Sequence, residues 1–150
     1  MDRPRRVLAV ASAGGHWTQL MRLTPALEGC ETVLVSTLDQ QGLPDCVRFH
    51  VVPDANRGTW LGMVRLIFSM GWVVLRERPD VVISTGAAPG YVAIRLARIF
   101  GARTVWLDSL ANAEQLSMSG RLAGPHADLW LTQWPHVARP EGPHFLGSVI

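Results

Sequence analysis

The chain has 150 residues, of which 48% are hydrophobic and 17% charged, with a formal net charge of +2. That length supports one domain with a real core, and the composition excludes a disordered chain and gives no electrostatic reason to expect a nucleic-acid partner. All fourteen basic residues are arginine, so a Schiff-base or P-loop lysine is excluded, and anion contacts fall to arginine, backbone N–H groups and helix ends.

The opening Arg3-Pro4-Arg5-Arg6 followed by Val7 to Ala13 imitates a signal peptide but is too short for one, and reads instead as a buried first strand over Arg6–Ala11. Gly14-Gly15 break that strand, and a helix is expected from His16 to Leu27, ended or bent by Pro25. Thr32–Ser36 and Arg48–Val52 read as the second and third strands. Thr59–Arg78 reads as a long helix closed by Pro79; its apolar stretch to Leu75 carries Arg65 and is too short to span a bilayer. Asp80–Ser84 is a continuous apolar strand. Gly90–Phe100 is a helix with Pro89 at its start and Gly101 just past its end. Arg103–Leu107 and Asp128–Thr132 are further strands, and from about residue 135 an irregular tail with three prolines is expected. Strands without alternation are buried on both faces, so the expected fold is α/β: a Rossmann-like, doubly wound parallel sheet in a single domain, residues 1–150.

Three strand ends carry candidate chemistry. Ser12-Ala13-Gly14-Gly15-His16 runs from the first strand into a helix, where paired glycines permit close backbone approach and the helix start offers free N–H groups to a phosphate. A plain tight turn is the alternative. Ser84-Thr85-Gly86-Ala87-Ala88-Pro89-Gly90-Tyr91 repeats that design after the fourth strand. In a right-handed sheet of order 3-2-1-4-5 the two loops flank the topological switch point and open onto one crevice. Asp108-Ser109, followed by Asn112 and Glu114, ends the fifth strand beside the same crevice. Asp108 can act as a base, bind a hydroxyl or cap a helix, and capping suits Ser109 best. His16, at a helix start, is a candidate neutral base or a structural residue.

These segments together resemble one family. Ala11-Ser12-Ala13-Gly14-Gly15-His16-Trp17-Thr18-Gln19-Leu20, the block from Ser84 to Gly90, Asp108-Ser109 with Ser119-Gly120-Arg121-Leu122, and Ala127 to Pro135 are similar to the asparagine-linked-glycosylation protein 14 family, including its bacterial exopolysaccharide members. More distantly the chain resembles the N-terminal half of MurG-type transferases, in which the loops matching Gly14-Gly15-His16 and Gly86–Tyr91 face a lipid-pyrophosphoryl acceptor.

The resemblance implies the acceptor-side domain of a GT-B glycosyltransferase whose nucleotide-sugar domain is a separate small protein, held by this chain at the cytoplasmic face of the membrane. It implies a polyprenyl-pyrophosphate-linked sugar as acceptor. His16 and Asp108 are then the catalytic candidates, and Ser12, Gly14, Gly15, Thr85, Gly86, Gly90, Ser109 and Arg57 the acceptor or phosphate contacts. Family members often carry Glu-Ser where this chain has Asp108-Ser109, which keeps the carboxylate but shortens its reach. The N-terminal anchor of eukaryotic members is not expected here.

The Thr59–Arg78 helix fits membrane recruitment. Gly62, Arg65, Ser69 and Arg76 make only a narrow polar stripe, and Trp60 and Trp72 lie near the helix ends. A pure core helix, with the six tryptophans simply inside, is the competing reading. His126, His136 and His144 have no ligand spacing, so neither a metal nor a cofactor is expected, and Cys30 and Cys46 give no disulfide framework. Two rival functions remain: a non-catalytic scaffold for a partner transferase, and a stand-alone nucleotide-binding Rossmann enzyme. The missing G-x-G-x-x-G and the lack of an acidic residue at the second strand's tip, where Asp39 comes nearest, weigh against the latter.

Overall fold

A computed structural model describes residues 2–55 and 58–150. Its centre is a seven-stranded sheet with every neighbouring pair parallel. The strands are β1 (Arg6–Val10), β2 (Glu31–Ser36), β3 (Arg48–Val51), β4 (Val81–Ser84), β5 (Arg103–Leu107), β6 (Leu129–Thr132) and β7 (His144–Phe145). Their order is β3-β2-β1-β4-β5-β6-β7, so the chain reverses its direction of winding between β1 and β4, as expected. The helices are α1 (Gly15–Leu23), α2 (Trp60–Glu77), α3 (Ala87–Ile99) and α4 (Met118–Ala123).

The core sorts by the two-residue period of a strand. Leu8 and Val10 of β1 join Val33 and Val35 of β2 in a cluster with α2 and α3, through Leu66, Met70, Val73, Ala93, Ile94 and Ala97. Ala9 and Ala11 project to the other face, where with Leu34 they pack against Leu20, Trp17 and Met21 of α1. Burial on both faces explains why β1 and β2 read as unbroken apolar runs.

Local chemistry sets the helix bounds. Pro25 has no N–H for the carbonyl of residue 21, so α1 stops at Leu23 and a 3-10 turn, Thr24–Leu27, begins there. The Met21 carbonyl accepts instead from the Thr24 N–H and, at 2.7 Å, from the Thr24 hydroxyl. Helix α3 starts at Ala87, earlier than the expected Gly90, which places Pro89 in the first turn where its missing N–H costs nothing. Helix α2 turns Leu66, Met70, Val73 and Val74 inward. Its last residue, Glu77, is only 2% exposed and ties the helix to β3: His50 Nε2–H donates to Oε1 at 2.7 Å, and Arg48 Nη1 pairs with Oε2 at 3.1 Å. The tail is more regular than expected, since a 3-10 turn over Pro135–Val137 leads to β7, which pairs with β6 through Leu131–His144 and Thr132–Phe145.

The outer face of α2 is apolar and open to solvent. Trp60 is 74% exposed, Phe68 76% and Trp72 55%, with Leu61, Val64, Ile67 and Leu75 beside them. A helix serving only as core would not present this surface. No helix among the described residues is long and apolar enough to cross a membrane.

Candidate functional site

The C-terminal tips of β1 to β4 surround a crevice of about 350 Å³. Each strand contributes residues just past its end: Ser12 and Ala13 from β1, Thr37 and Leu38 from β2, Asp54 and Ala55 from β3, and Ala87 and Ala88 from β4. Arg57 lies outside the described residues.

The first loop bends at Gly14, whose φ of +83° is one that L side chains rarely adopt. Nothing stands within 4 Å of where a Cβ would lie on Gly14 or Gly15, so the backbone there is open to a ligand. The second loop bends twice, at Gly86 (φ +142°) and Ala87 (φ +67°). Positive φ at an alanine is strained, and such residues gather where a backbone is held for a ligand. Ser84 Oγ accepts from the Gly86 N–H at 3.1 Å and steadies the bend.

Two reciprocal hydrogen bonds join the loops. His16 Nδ1–H donates to the Thr85 carbonyl at 3.0 Å, and Thr85 Oγ1–H donates to the His16 carbonyl at 2.7 Å. A carbonyl only accepts, so the proton sits on Nδ1, and in the neutral ring the Nε2 lone pair is free. The ring lies so close over Gly86 that a Cβ there would come within 2.5 Å of His16 Cε1. Gly86 is therefore required by the histidine as well as by its own φ.

Gly14 is the N-cap residue of α1 and Gly86 that of α3, and neither start has a side-chain cap or an acidic residue in its first turn. Their leading N–H groups are left for solvent or an anion. Helix α4 is different: Ser117 Oγ accepts from the Gly120 N–H at 2.8 Å. The start of α2 is likewise uncapped, but only those of α1 and α3 lie in the two joined loops beside the switch point.

Asp108 is buried at 1% exposure and fully engaged. Its Oδ1 accepts from Trp106 Nε1 at 3.1 Å and from Ser117 Oγ at 2.6 Å, and its Oδ2 from the Ser117 N–H at 2.8 Å. These bonds tie the tip of β5 to the start of α4. Ser109 is also buried; its Oγ accepts from Gln19 Nε2 at 3.1 Å, while Gln19 Oε1 accepts from the Leu110 N–H and from Gln133 Nε2. This buried amide network fastens α1 to the tips of β5 and β6. Gly90 is the inner face of α3, where a Cβ would come within 2.8 Å of the Ser84 Cβ and 3.2 Å of the Trp106 ring, so it serves close helix–sheet packing.

The structure thus places Ser12 in the crevice wall, with Gly14, Gly15, His16, Thr85 and Gly86 in the two joined loops, and sets Asp108, Ser109 and Gly90 in supporting structure. Two polar crevice residues escaped the sequence reading. Thr37 Oγ1 accepts from the Ala13 N–H at 3.1 Å, and Asp54 is the crevice's carboxylate. Both lie just past the ends of strands, and that position was the available signal. Among the described residues no group of three or more His, Cys, Asp or Glu is placed to hold a metal.

Comparison with known proteins adds a family. Residues 29–148 match the family model described as oligosaccharide biosynthesis protein Alg14 like. A protein of Eremothecium gossypii named UDP-N-acetylglucosamine transferase subunit ALG14 is 38% identical, the match covering 91% of this chain and 75% of that protein. The mouse protein of the same name is 28% identical over 87% of this chain and 76% of its own length. The crystal structure of Acinetobacter baumannii MurG superposes with a TM-score of 0.75 at 14% identity, covering 97% of this chain and 46% of the MurG chain. The UDP-GlcNAc 2-epimerase of Methanocaldococcus jannaschii, solved with UDP-GlcNAc and UDP, gives a TM-score of 0.64 at 13% identity, covering 85% of this chain and 40% of that one. The fold is that of one Rossmann-like half of these larger chains.

Proposed function

The chain belongs to the Alg14-like family of oligosaccharide-biosynthesis proteins, and from that premise we propose that it is the acceptor-side subunit of a glycosyltransferase. A separate subunit supplies the nucleotide-sugar domain, and the active cleft forms between the two. The observation that carries this reading is the pair of uncapped helix starts, α1 and α3, set at one switch point by loops bonded to each other. Two such ends suit a diphosphate, here the pyrophosphate of a polyprenyl-linked sugar.

His16 Nε2 is the base. It takes the proton of the acceptor hydroxyl as that oxygen attacks the anomeric carbon and the nucleoside diphosphate leaves with the bonding electrons. The Thr85 carbonyl holds the ring in the required tautomer. Asp108 positions α4 and the β5 tip and does not touch the acceptor. Arg57 assists in neutralising phosphate. The names of the relatives make UDP-N-acetylglucosamine the donor to try first. The complex sits as a peripheral protein on the cytoplasmic surface of the membrane, a reading supported by the exposed apolar face of α2, with Trp60 and Trp72 at the interface.

The test is reconstitution. Chain, partner subunit, labelled UDP-N-acetylglucosamine and a short polyprenyl-pyrophosphoryl acceptor should give product, while either subunit alone should not. His16→Ala should lower kcat by about 10²–10⁴. Full turnover by the partner alone would make this chain a scaffold, and unchanged kcat in His16→Ala would remove the base.

A further inference from the structure

A second cavity, of about 760 Å³, lies at the N-terminal ends of β1, β4 and β5, the opposite end of the sheet from the glycine loops. Its lining is more polar than apolar; the last turns of α2 and α3 supply its apolar part, with Leu75 and Phe100 both more than half exposed. Arg5, Arg78 and Arg103 line it.

All three arginines are exposed, and Arg5 helps to hold the Asp80 carboxyl below its ordinary range, yet none of the three makes an ion pair with a carboxylate among the described residues. The cavity's own carboxylate, Asp80, is already bonded to the Arg3 guanidinium and the Arg6 N–H, both at 2.8 Å. The C-terminal ends of α2 and α3 carry partial negative charge that favours these cations, but none of the three side chains bonds a carbonyl there. The Arg78 N–H closes α2 on the Val74 carbonyl, and the N–H groups of Gly101 and Ala102 close α3 on Arg98 and Ala97. Three like charges around one hollow repel each other, and an anion seated between them removes that repulsion. Guanidinium forks match phosphate oxygens in geometry as well as charge. A bare anion would leave Leu75 and Phe100 in water, whereas a ligand with an apolar part would cover them. The volume is that of a small-molecule site.

We propose that this cavity is a second binding site, for a phosphate group carried on an apolar body, with the phosphate among Arg5, Arg78 and Arg103 and the apolar part against Leu75 and Phe100. It shares no residue with the glycine loops, so it stands or falls separately from the acceptor reading. Such a phosphate can come from a membrane phospholipid or from a soluble ester, and the two are separable by experiment.

The full chain is titrated by calorimetry and amide NMR with dihexanoyl phosphatidic acid kept monomeric, with phenyl phosphate, and with inorganic phosphate. The expected result is binding of the first or second, with shifts at the Leu75, Gly101 and Ala102 amides and inorganic phosphate weaker by about tenfold or more. Tighter binding of the phosphatidic acid assigns the site to lipid, and tighter binding of phenyl phosphate assigns it to a soluble ester. Arg5→Gln and Arg103→Gln, both exposed and outside the core, should each weaken binding about tenfold or more while keeping the native circular dichroism. The proposal is overturned if neither ester binds, if inorganic phosphate binds as tightly, if the shifts centre on Gly14 and Gly86, or if the arginine variants bind undiminished.

Discussion

Asp108→Ala separates two meanings of a buried carboxylate. Trp106 is fully buried, so the substitution leaves its indole N–H without an acceptor or water, at a cost of about 1–3 kcal/mol. Ser117 loses both bonds that fix it, and with them the geometry of the α4 cap, itself worth about 1 kcal/mol. With the charge-assisted bonds to Ser117 included, the total is about 4 kcal/mol. In a chain of this size that lowers Tm by about 8–16 °C. The assay is thermal unfolding followed by circular dichroism for Asp108→Ala, Ser117→Ala and the double variant. Because the two side chains share a network, the cycle should show about 1–3 kcal/mol of coupling. A catalytic base behaves otherwise: Asp108→Asn would lose about 10²–10⁴ in kcat with Tm close to wild type. An unchanged Tm in Asp108→Ala, or strictly additive losses in the cycle, would refute the positioning role.

Three further outcomes are expected. Gly90→Ala drives a methyl toward Ser84 and Trp106, so α3 must lift from the sheet and unfolding by denaturant should show a loss of about 1–3 kcal/mol. Phe68→Ser with Trp72→Ser should weaken sedimentation with anionic vesicles about tenfold or more and leave Tm close to wild type, since both side chains are more than half exposed. The third outcome concerns pH. The Arg6 backbone N–H, aided by Arg3, holds the Asp80 carboxyl below its ordinary 3.8, and the Arg6 side chain, aided by Arg48, holds Glu31 below 4.5. Both folded values lie under the unfolded ones, so the stabilisation is complete above those ordinary values and is lost as pH falls through the folded values. Asp80→Asn should flatten the fall of Tm below pH 4, and a parallel fall in the two proteins would contradict this.

Much of the fold was legible because the features that specify it are local. The six strands that could be read are short apolar runs between glycine and proline breaks, and the parallel order follows from their burial on both faces. Strand β7 escaped because two exposed residues, His144 and Phe145, carry no pattern. Helix α4 escaped because Gly120 sits inside it and its start signal is a single Ser117. The site was half legible. Gly14, Gly86 and His16 announce a turn and a base, but the group that orients His16 is a backbone carbonyl, Thr85, and backbone groups leave no trace in residue identity. The role of Asp108 turns on where its carboxylate points. Trp106, two residues earlier on the same face of β5, was the clue that it points inward. Gly90 read as the first helical residue, and so as a phosphate contact, because Pro89 looked like the helix start, whereas α3 begins two residues before that proline.

The central position of β1 also governs when this protein can fold. Its neighbours are β2, registered from Arg6 on Glu31, and β4, registered from Val7 on Val81. During synthesis the first strand therefore emerges early and gains one flank soon, but its other edge stays open until the chain has been made past β4. In that interval the exposed groups are a run of Val, Leu and Ala with unpaired N–H and C=O groups, the type of segment that recruits another chain. Every pairing in the sheet crosses an intervening connection, so none can form as a local hairpin, and folding is expected to be slow for a chain this short. Prompt cover for the waiting edge of β1, whether from a chaperone or from rapid completion of the chain, is then a condition for recovering the protein in soluble form.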